Sequence, residues 1–308
     1  MNQRRYFSIE EVRKNIFKSF LLVFIIVALI IAVSYLLGIL LEDPKSGLTI
    51  GLFISIIVVP FQLLISKATI LLMTKGRKVN PNNMREVRVQ HLVEGLSISA
   101  GLRKVPDVYI VPSHVPNAFA SGMSEKSAFI GVTEGLLSVM DDQELEGVIA
   151  HEISHIVHKD VMLQQLVVAL VSVLLILALI VQRIALFGKR SRDSDNKGSG
   201  LIIVGILLLA ILVRPIAYLI GNIIQLAISR KREYAADAYA VRLTGYNGGL
   251  ASALRKLGNY PPRTQEDIES LGGAQMKCMY ISFPERVNSL FSTHPPLKER
   301  IDRVENMY

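Results

Sequence analysis

His151-Glu152-Ile153-Ser154-His155 is the stretch on which the reading of this chain turns. Two histidines four residues apart leave one face of a helix together, so both imidazoles reach a single metal ion. Glu152 sits on the flank of that face, where a carboxylate holds and deprotonates a water at the metal. Asp141, Asp142, Gln143 and Glu144 come just before. Acids of N-cap type followed by helix formers supply the helical setting the motif needs. Imidazole and carboxylate donors with an open position suit zinc best, one ion per chain, with cobalt or manganese as substitutes.

Catalytic zinc takes three protein ligands and keeps a fourth position open. Downstream, Ser229 to Ala240 is another helical stretch, in which Glu233 and Asp237 are four apart and share a face. Glu233 is the candidate third ligand, and Asp237 the carboxylate that orients a ligand histidine. Taken alone this run reads as a solvated, charged helix; the histidine helix upstream decides against that. His158 follows His155 at His-x-x-His spacing but lacks the glycine and third histidine of the long metzincin motif. It reads as a polar residue at a membrane surface, while His91 and His114, with no partner at ligand spacing, read as structural or solvated.

The rest of the chain is rich in apolar runs. Its 308 residues are 51% hydrophobic, above the roughly 45–50% of soluble domains. Phe20 to Leu41, Leu48 to Met73, Val161 to Val181 and Leu201 to Ile228 are the four runs. Each reaches the roughly 20 residues a helix needs to cross a bilayer. Pro60, Lys67, Arg214 and Pro215 interrupt two of them, and the charges are expected to snorkel or to face another helix. The first run reads as a retained anchor rather than a cleaved signal peptide. Arg4, Arg5, Arg13, Lys14 and Lys18 precede it, against one lysine in Glu42-Asp43-Pro44-Lys45 after it, which places the N-terminus and the zinc helix in the cytoplasm. Arg183, Lys189, Arg190, Arg192 and Lys197, between the third and fourth runs, oppose that topology. Either the 161–228 hairpin does not fully cross or the first helices set the orientation; full crossing is the expectation.

The expected organisation is therefore an anchor of two transmembrane helices over 1–74, then the first half of a cytoplasmic peptidase domain over 75–160. A hydrophobic helical hairpin over 161–228 and the second half of the domain over 229–308 complete it. Only His158, Lys159 and Asp160 separate the motif's helix from the third run, so the metal is expected about 10 Å from the membrane boundary. Basic cytoplasmic loops account for the net charge of +8, with no nucleic-acid recognition motif to compete. The single cysteine, Cys278, excludes a disulfide framework and a thiolate zinc cluster. No glycine-rich phosphate loop points to direct ATP use.

Within the peptidase parts, Arg85 to Leu102 reads as an amphipathic helix with Val87, Val89, Val93, Leu96 and Ile98 as core contacts. Val105 to Pro112, Ala118 to Ser121 and Ser127 to Thr133 are strand candidates, the last two joined by a turn. A small sheet beside the zinc helices follows, with an exposed strand that takes an extended peptide by strand addition. Asn117 after Pro116 has the chemistry of a turn former. Leu250 to Leu257 and Lys298 to Glu305 read as helices, and Pro261 to Asp267 as a loop that shapes access to the cleft.

Four motifs stand in one order along the chain: Asn117-Ala118-Phe119-Ala120-Ser121-Gly122, His151 to His155, Glu233-Tyr234-Ala235-Ala236-Asp237, and Thr293-His294-Pro295-Pro296 followed by Glu299-Arg300. With the hydrophobic runs they cover nearly the whole chain, and together they resemble the HtpX-like membrane metalloproteases, relatives of the CAAX prenyl proteases. The resemblance implies a mainly α membrane protein: about four transmembrane helices plus a gluzincin-type α+β zinc-peptidase domain with a small β-sheet. It implies an endopeptidase of protein quality control and stress response in a bacterial inner (plasma) membrane, acting on unfolded or membrane protein substrates, with a homo-oligomer as one option. Glu152 would be the general base, and His294 the donor to the developing oxyanion. Asn117, Ala118 and Phe119 would contact the substrate backbone. Arg300 would anchor the His-Pro-Pro turn, or else be a plain surface arginine. A CAAX-type protease acting on prenylated tails is the alternative within the enzyme class, but four segments are too few to enclose a chamber. A non-catalytic zinc-binding membrane scaffold would need no base such as Glu152. A transporter would carry its polar residues at the bilayer midplane, not outside it.

Overall fold

The computed structural model describes residues 2–187, 230–260, 264–273 and 295–307, with a few single positions between those ranges. Helix α1 (Asn2–Leu40) is followed by α2 (Pro44–Phe53), a π-helical turn (Ile54–Val58) and α3 (Val59–Thr74). Strand β1 (Arg77–Lys78), helix α4 (Met84–Ser99) and strands β2 (Asp107–Val111), β3 (Ala118–Ser121) and β4 (Phe129–Thr133) come next. Then follow α5 (Glu134–Val139), α6 (Asp142–Val157), α7 (Asp160–Phe187), α8 (Arg230–Thr244), α9 (Gly248–Gly258), α10 (Gln265–Ser270) and α11 (Leu297–Glu305). Two compact units divide the chain: Phe17–Ser66 with Leu166–Ile223, and Met1–Ile16 with Lys67–Gln165 and Ile224–Tyr308.

Val23–Leu40, Pro44–Thr74 and Asp160–Ile180 are long and apolar enough to cross a membrane. They coincide with the first three expected runs; the fourth falls almost wholly outside the described residues. Helix α1 extends well before its apolar run because residues 2–19 contain no glycine or proline to stop it. Pro60 does not break α3. Proline cannot donate to the preceding turn, and the wide π turn just before it absorbs the misfit.

In the first of these units α1 and α2 meet through small residues, Ser34 and Gly38 against Gly47 and Gly51. A Cβ on Gly47 would lie 2.5 Å from the Ser34 carbonyl oxygen and 2.7 Å from the Gly38 Cα. Close backbone approach of this kind takes the place of hydrophobic burial between apolar helices. Gly47→Leu is expected to cost about 1–3 kcal/mol, read as a lower melting midpoint in detergent. An unchanged midpoint would refute the close approach.

The second unit is built on a four-stranded sheet of order β1-β2-β4-β3, with β2 and β4 parallel and the outer pairs antiparallel. The three expected strands are present, and β3 lies at an edge; β1 is too short to read from sequence. The β3–β4 turn requires glycine at position 122, where φ is +152° and a Cβ would sit 2.6 Å from the Ala128 Cα. Helix α4 buries Glu86, Val89, Val93, Leu96 and Ser97. Ile98, expected in the core, is 68% exposed, because it stands about 200° round the helix from Leu96. Lys67 turns to the sheet rather than to a helix: its ammonium reaches Asp107 of β2 at 2.5 Å and lies over the rings of Tyr109 and Phe129. The expected loop from Pro261 to Asp267 gives way at Thr264. There the Thr264 hydroxyl accepts from the Asp267 N–H and the Asp267 carboxylate from the Thr264 N–H, a capping box that starts α10.

Candidate active site

Helix α6 begins with a reciprocal cap. Asp141 accepts from the Glu144 N–H at 3.0 Å, and Glu144 accepts from the Asp141 N–H at 2.9 Å. The same Glu144 receives Ser252 Oγ and Lys256 Nζ of α9, each at 2.6 Å, so the start of the helix is pinned. From Gly147 to Ile156 every residue of α6 is buried, against α4, β3, α8 and α9. Gly147 lets α9 come close: a Cβ there would lie 2.7 Å from the Leu250 nitrogen. A helix covered on all sides holds its polar residues in a dry, fixed place, and those residues are His151, Glu152 and His155.

Helix α8 supplies Glu233 and Asp237 from one face. One ligand-type atom each from His151, His155 and Glu233 lie within 4.8 Å of one another. The Glu233 carboxylate is 3.7 Å from His151 Nε2 and 3.5 Å from His155 Nε2. Each imidazole is held by a carboxylate at its other nitrogen: His151 Nδ1 by Asp237 at 2.9 Å, His155 Nδ1 by Asp160 at 3.1 Å. Both Nε2 atoms consequently face inward, 3.2 Å apart. Tetrahedral zinc with nitrogen bonds of about 2.0–2.1 Å sets two ligand nitrogens about 3.3 Å apart. Two imidazole lone pairs aimed at one point need a cation between them, and the His, His, Glu donor set fits zinc on both distance and chemistry.

Without a metal, the site favours positive charge. Burial works against charge on His155, but Asp160 and Glu233 outweigh it and carry the imidazole up to about 9. Burial holds His151 below its ordinary value, even with Asp237 beside it. For Glu152 burial dominates and pushes its carboxyl up to about 7, the charge on His155 pulling the other way and Glu233 adding to the rise. A main-chain hydrogen bond from Ala120 also favours the Glu152 anion. A cation bound at the two histidines would favour the anion and draw this carboxyl back down.

Arg300 of α11 is 0% exposed, so the surface-arginine reading fails. Its Nε and Nη2 donate to the two oxygens of Asp237 at 2.9 and 2.7 Å, and its Nη1 to the Ile281 carbonyl at 3.2 Å. Burial opposes the guanidinium charge, yet Asp237 and Glu233 raise its pKa further. Burial likewise pushes Asp237 up, and Arg300 and His151 more than reverse it.

Edge strand β3 borders the group. Ala118 and Ala120 direct main-chain groups away from β4: the Ala118 carbonyl accepts from the Ile281 N–H at 3.1 Å, and the Ala120 N–H reaches Glu152. Asn117 is buried, its Oδ1 accepting from the Ala118 N–H at 3.0 Å. The side chains of Ala118 and Phe119 are fully buried. His294 lies outside the described residues. His158 Nδ1 donates to the Ser154 carbonyl at 2.7 Å at the end of α6, and exposed His114 pairs with Asp267 at 2.8 Å. Asp160 and Arg232 join the site unforeseen. From sequence Asp160 reads as spacer, although a carboxylate placed immediately before an apolar run is a signal that it has a partner.

A model of peptidase family M48 matches residues 83–308. A Protease HtpX homolog of Streptococcus uberis is 35% identical over 303 residues, covering 96% of this chain and 97% of its own. One from Leuconostoc citreum is 36% identical over 305 residues, covering 97% and 99%. Another, from Dictyoglomus turgidum, is 37% identical over 302 residues, covering 97% and 94%. A crystal structure of S. mikatae Ste24p aligns at a TM-score of 0.49 and 20% identity, over 96% of this chain and 67% of that one. Matched by the family model over most of its length and by relatives from end to end, this chain belongs to peptidase family M48 and is a membrane zinc metallopeptidase.

Proposed function

We propose that the chain cleaves misfolded or damaged membrane proteins, as a quality-control endopeptidase of a bacterial inner membrane with its active site facing the cytoplasm. The convergence of His151, His155 and Glu233 to within 4.8 Å, beside a buried Glu152, is the observation that carries the reading. These three residues would hold one zinc per chain. Bound there, zinc supplies a Lewis acid that polarises the scissile carbonyl and acidifies water. Glu152 takes a proton from the attacking water and returns it to the leaving amine. An extended substrate would add to the β3 edge by taking the Ala118 carbonyl that the Ile281 N–H occupies here, with Asn117 beside it. His294 is our candidate donor to the developing oxyanion. Asp237, held by Arg300, keeps His151 turned toward the metal. The basic residues before α1 support the cytoplasmic orientation, and the name of the relatives supports the protease assignment.

The test uses full-length protein in detergent, stripped of metal and resupplied with zinc, as wild type and as Glu152→Ala. Substrates are casein and an unfolded membrane protein. Zinc-restored cleavage by wild type alone is expected. Equal cleavage by both forms would point to a contaminant, and zinc uptake with no cleavage by either would favour a scaffold.

A further inference from the structure

Arg232 Nη1 donates to Asp160 Oδ1 at 2.7 Å, across 72 positions of chain, and the other oxygen of Asp160 meets His155 Nδ1 at 3.1 Å. Asp160 is 4% exposed and Arg232 9%. A buried ion pair is by itself a poor stabiliser, because desolvating both ions offsets their attraction. An apolar pair of similar volume would serve as well if joining α7 to α8 were the only task. What the apolar pair cannot do is accept the Nδ1 proton of His155. That hydrogen bond fixes the tautomer and leaves Nε2 free to face His151 Nε2 and Glu233.

The same order of groups recurs across the site, where Arg300 holds Asp237 and Asp237 holds His151. The two arms differ in where their parts come from. Arg300 lies on the last helix of the chain. Asp160 is the first residue of α7 and Arg232 lies in the first turn of α8, the chain positions that open and follow the hydrophobic insertion.

We propose that Asp160 and Arg232 are a positioning pair that aims His155 at the metal and, by joining the two ends of the hydrophobic insertion, makes metal affinity depend on those ends being held together. This rests on His151, His155 and Glu233 being the metal ligands. An orienting carboxylate of this kind is worth about 10–100-fold in metal affinity.

The test measures zinc affinity by chelator competition, and the visible spectrum of the cobalt-loaded form. It compares full-length wild type, Asp160→Ala, Asp160→Asn and Arg232→Met, with melting of each metal-free form as the control for folding. Asp160→Ala is expected to bind zinc about 10–100-fold more weakly and to show an altered cobalt spectrum. Asp160→Asn keeps an oxygen for Nδ1–H and should recover part of the loss. Arg232→Met should weaken binding without touching His155. Wild-type affinity and spectrum in a folded Asp160→Ala overturn the proposal; if that variant does not fold, the same result in Asp160→Asn and Arg232→Met does so. Wild-type affinity in Arg232→Met alone overturns the link between the insertion's ends and the metal. A wild type that binds neither metal removes the ligand set itself, and the pairing with it.

Discussion

Replacing Glu152 with glutamine is expected to lower kcat about a thousandfold while the protein keeps its zinc. Glutamine matches glutamate in size, so the packing of a side chain that is 2% exposed is preserved and only the capacity to take a proton is lost. The metal ligands are untouched, which is why zinc content and the melting midpoint should stay at wild-type values. KM should move little, because Glu152 acts on the water and not on the peptide. The pH profile supplies a second check. The base works only as the anion, so kcat/KM must fall as pH falls. Burial lifts the Glu152 carboxyl to about 7 in the metal-free protein, and a bound cation favours the anion and draws that value down. The acid limb should therefore have its midpoint below 7, with activity held above neutrality. A glutamine variant that retains a tenth of wild-type turnover at full zinc occupancy would remove Glu152 from its role.

Arg300→Met should cost about 3–5 kcal/mol of stability, the usual penalty for stripping one partner from a buried ion pair. The guanidinium is fully buried and forks onto both oxygens of Asp237 while lying 3.5 Å from Glu233. Methionine fills much of the space but leaves two carboxylates in a dry site without their cation. A fall of roughly 10 °C in the melting midpoint corresponds to that cost for a protein of this size, and zinc content should drop with it as His151 loses its fixed orientation. Arg300→Lys restores the charge without the fork and should fall between the two. A methionine variant that melts with wild type would mean Asp237 finds another partner.

How much of this was legible in the sequence follows from how far each contact reaches along the chain. The zinc helix was readable because its whole signature is local. Asp141 and Glu144 cap it, and His151, Glu152 and His155 fall within five residues. Strand β3 was readable from end to end, since Gly122 marks its turn. Arg300 was not, because the groups it meets, Asp237 and His151, lie 63 and 149 residues away and a charged helix looks the same whether buried or solvated. The partner of Lys67 was not legible either, since only the tertiary fold brings Asp107, forty residues on, to the end of that apolar run. The two-residue β1 exists only by pairing with β2.

The residues we assign to the metal come from both sides of the hydrophobic insertion, His151 and His155 before it and Glu233 after it. A ribosome that has delivered both histidines still has the whole insertion to make before the glutamate emerges. The partly synthesised chain thus holds an incomplete donor set through the period in which its own helices are entering the lipid. On this assignment hydrolytic capacity arrives only once the whole insertion has been made.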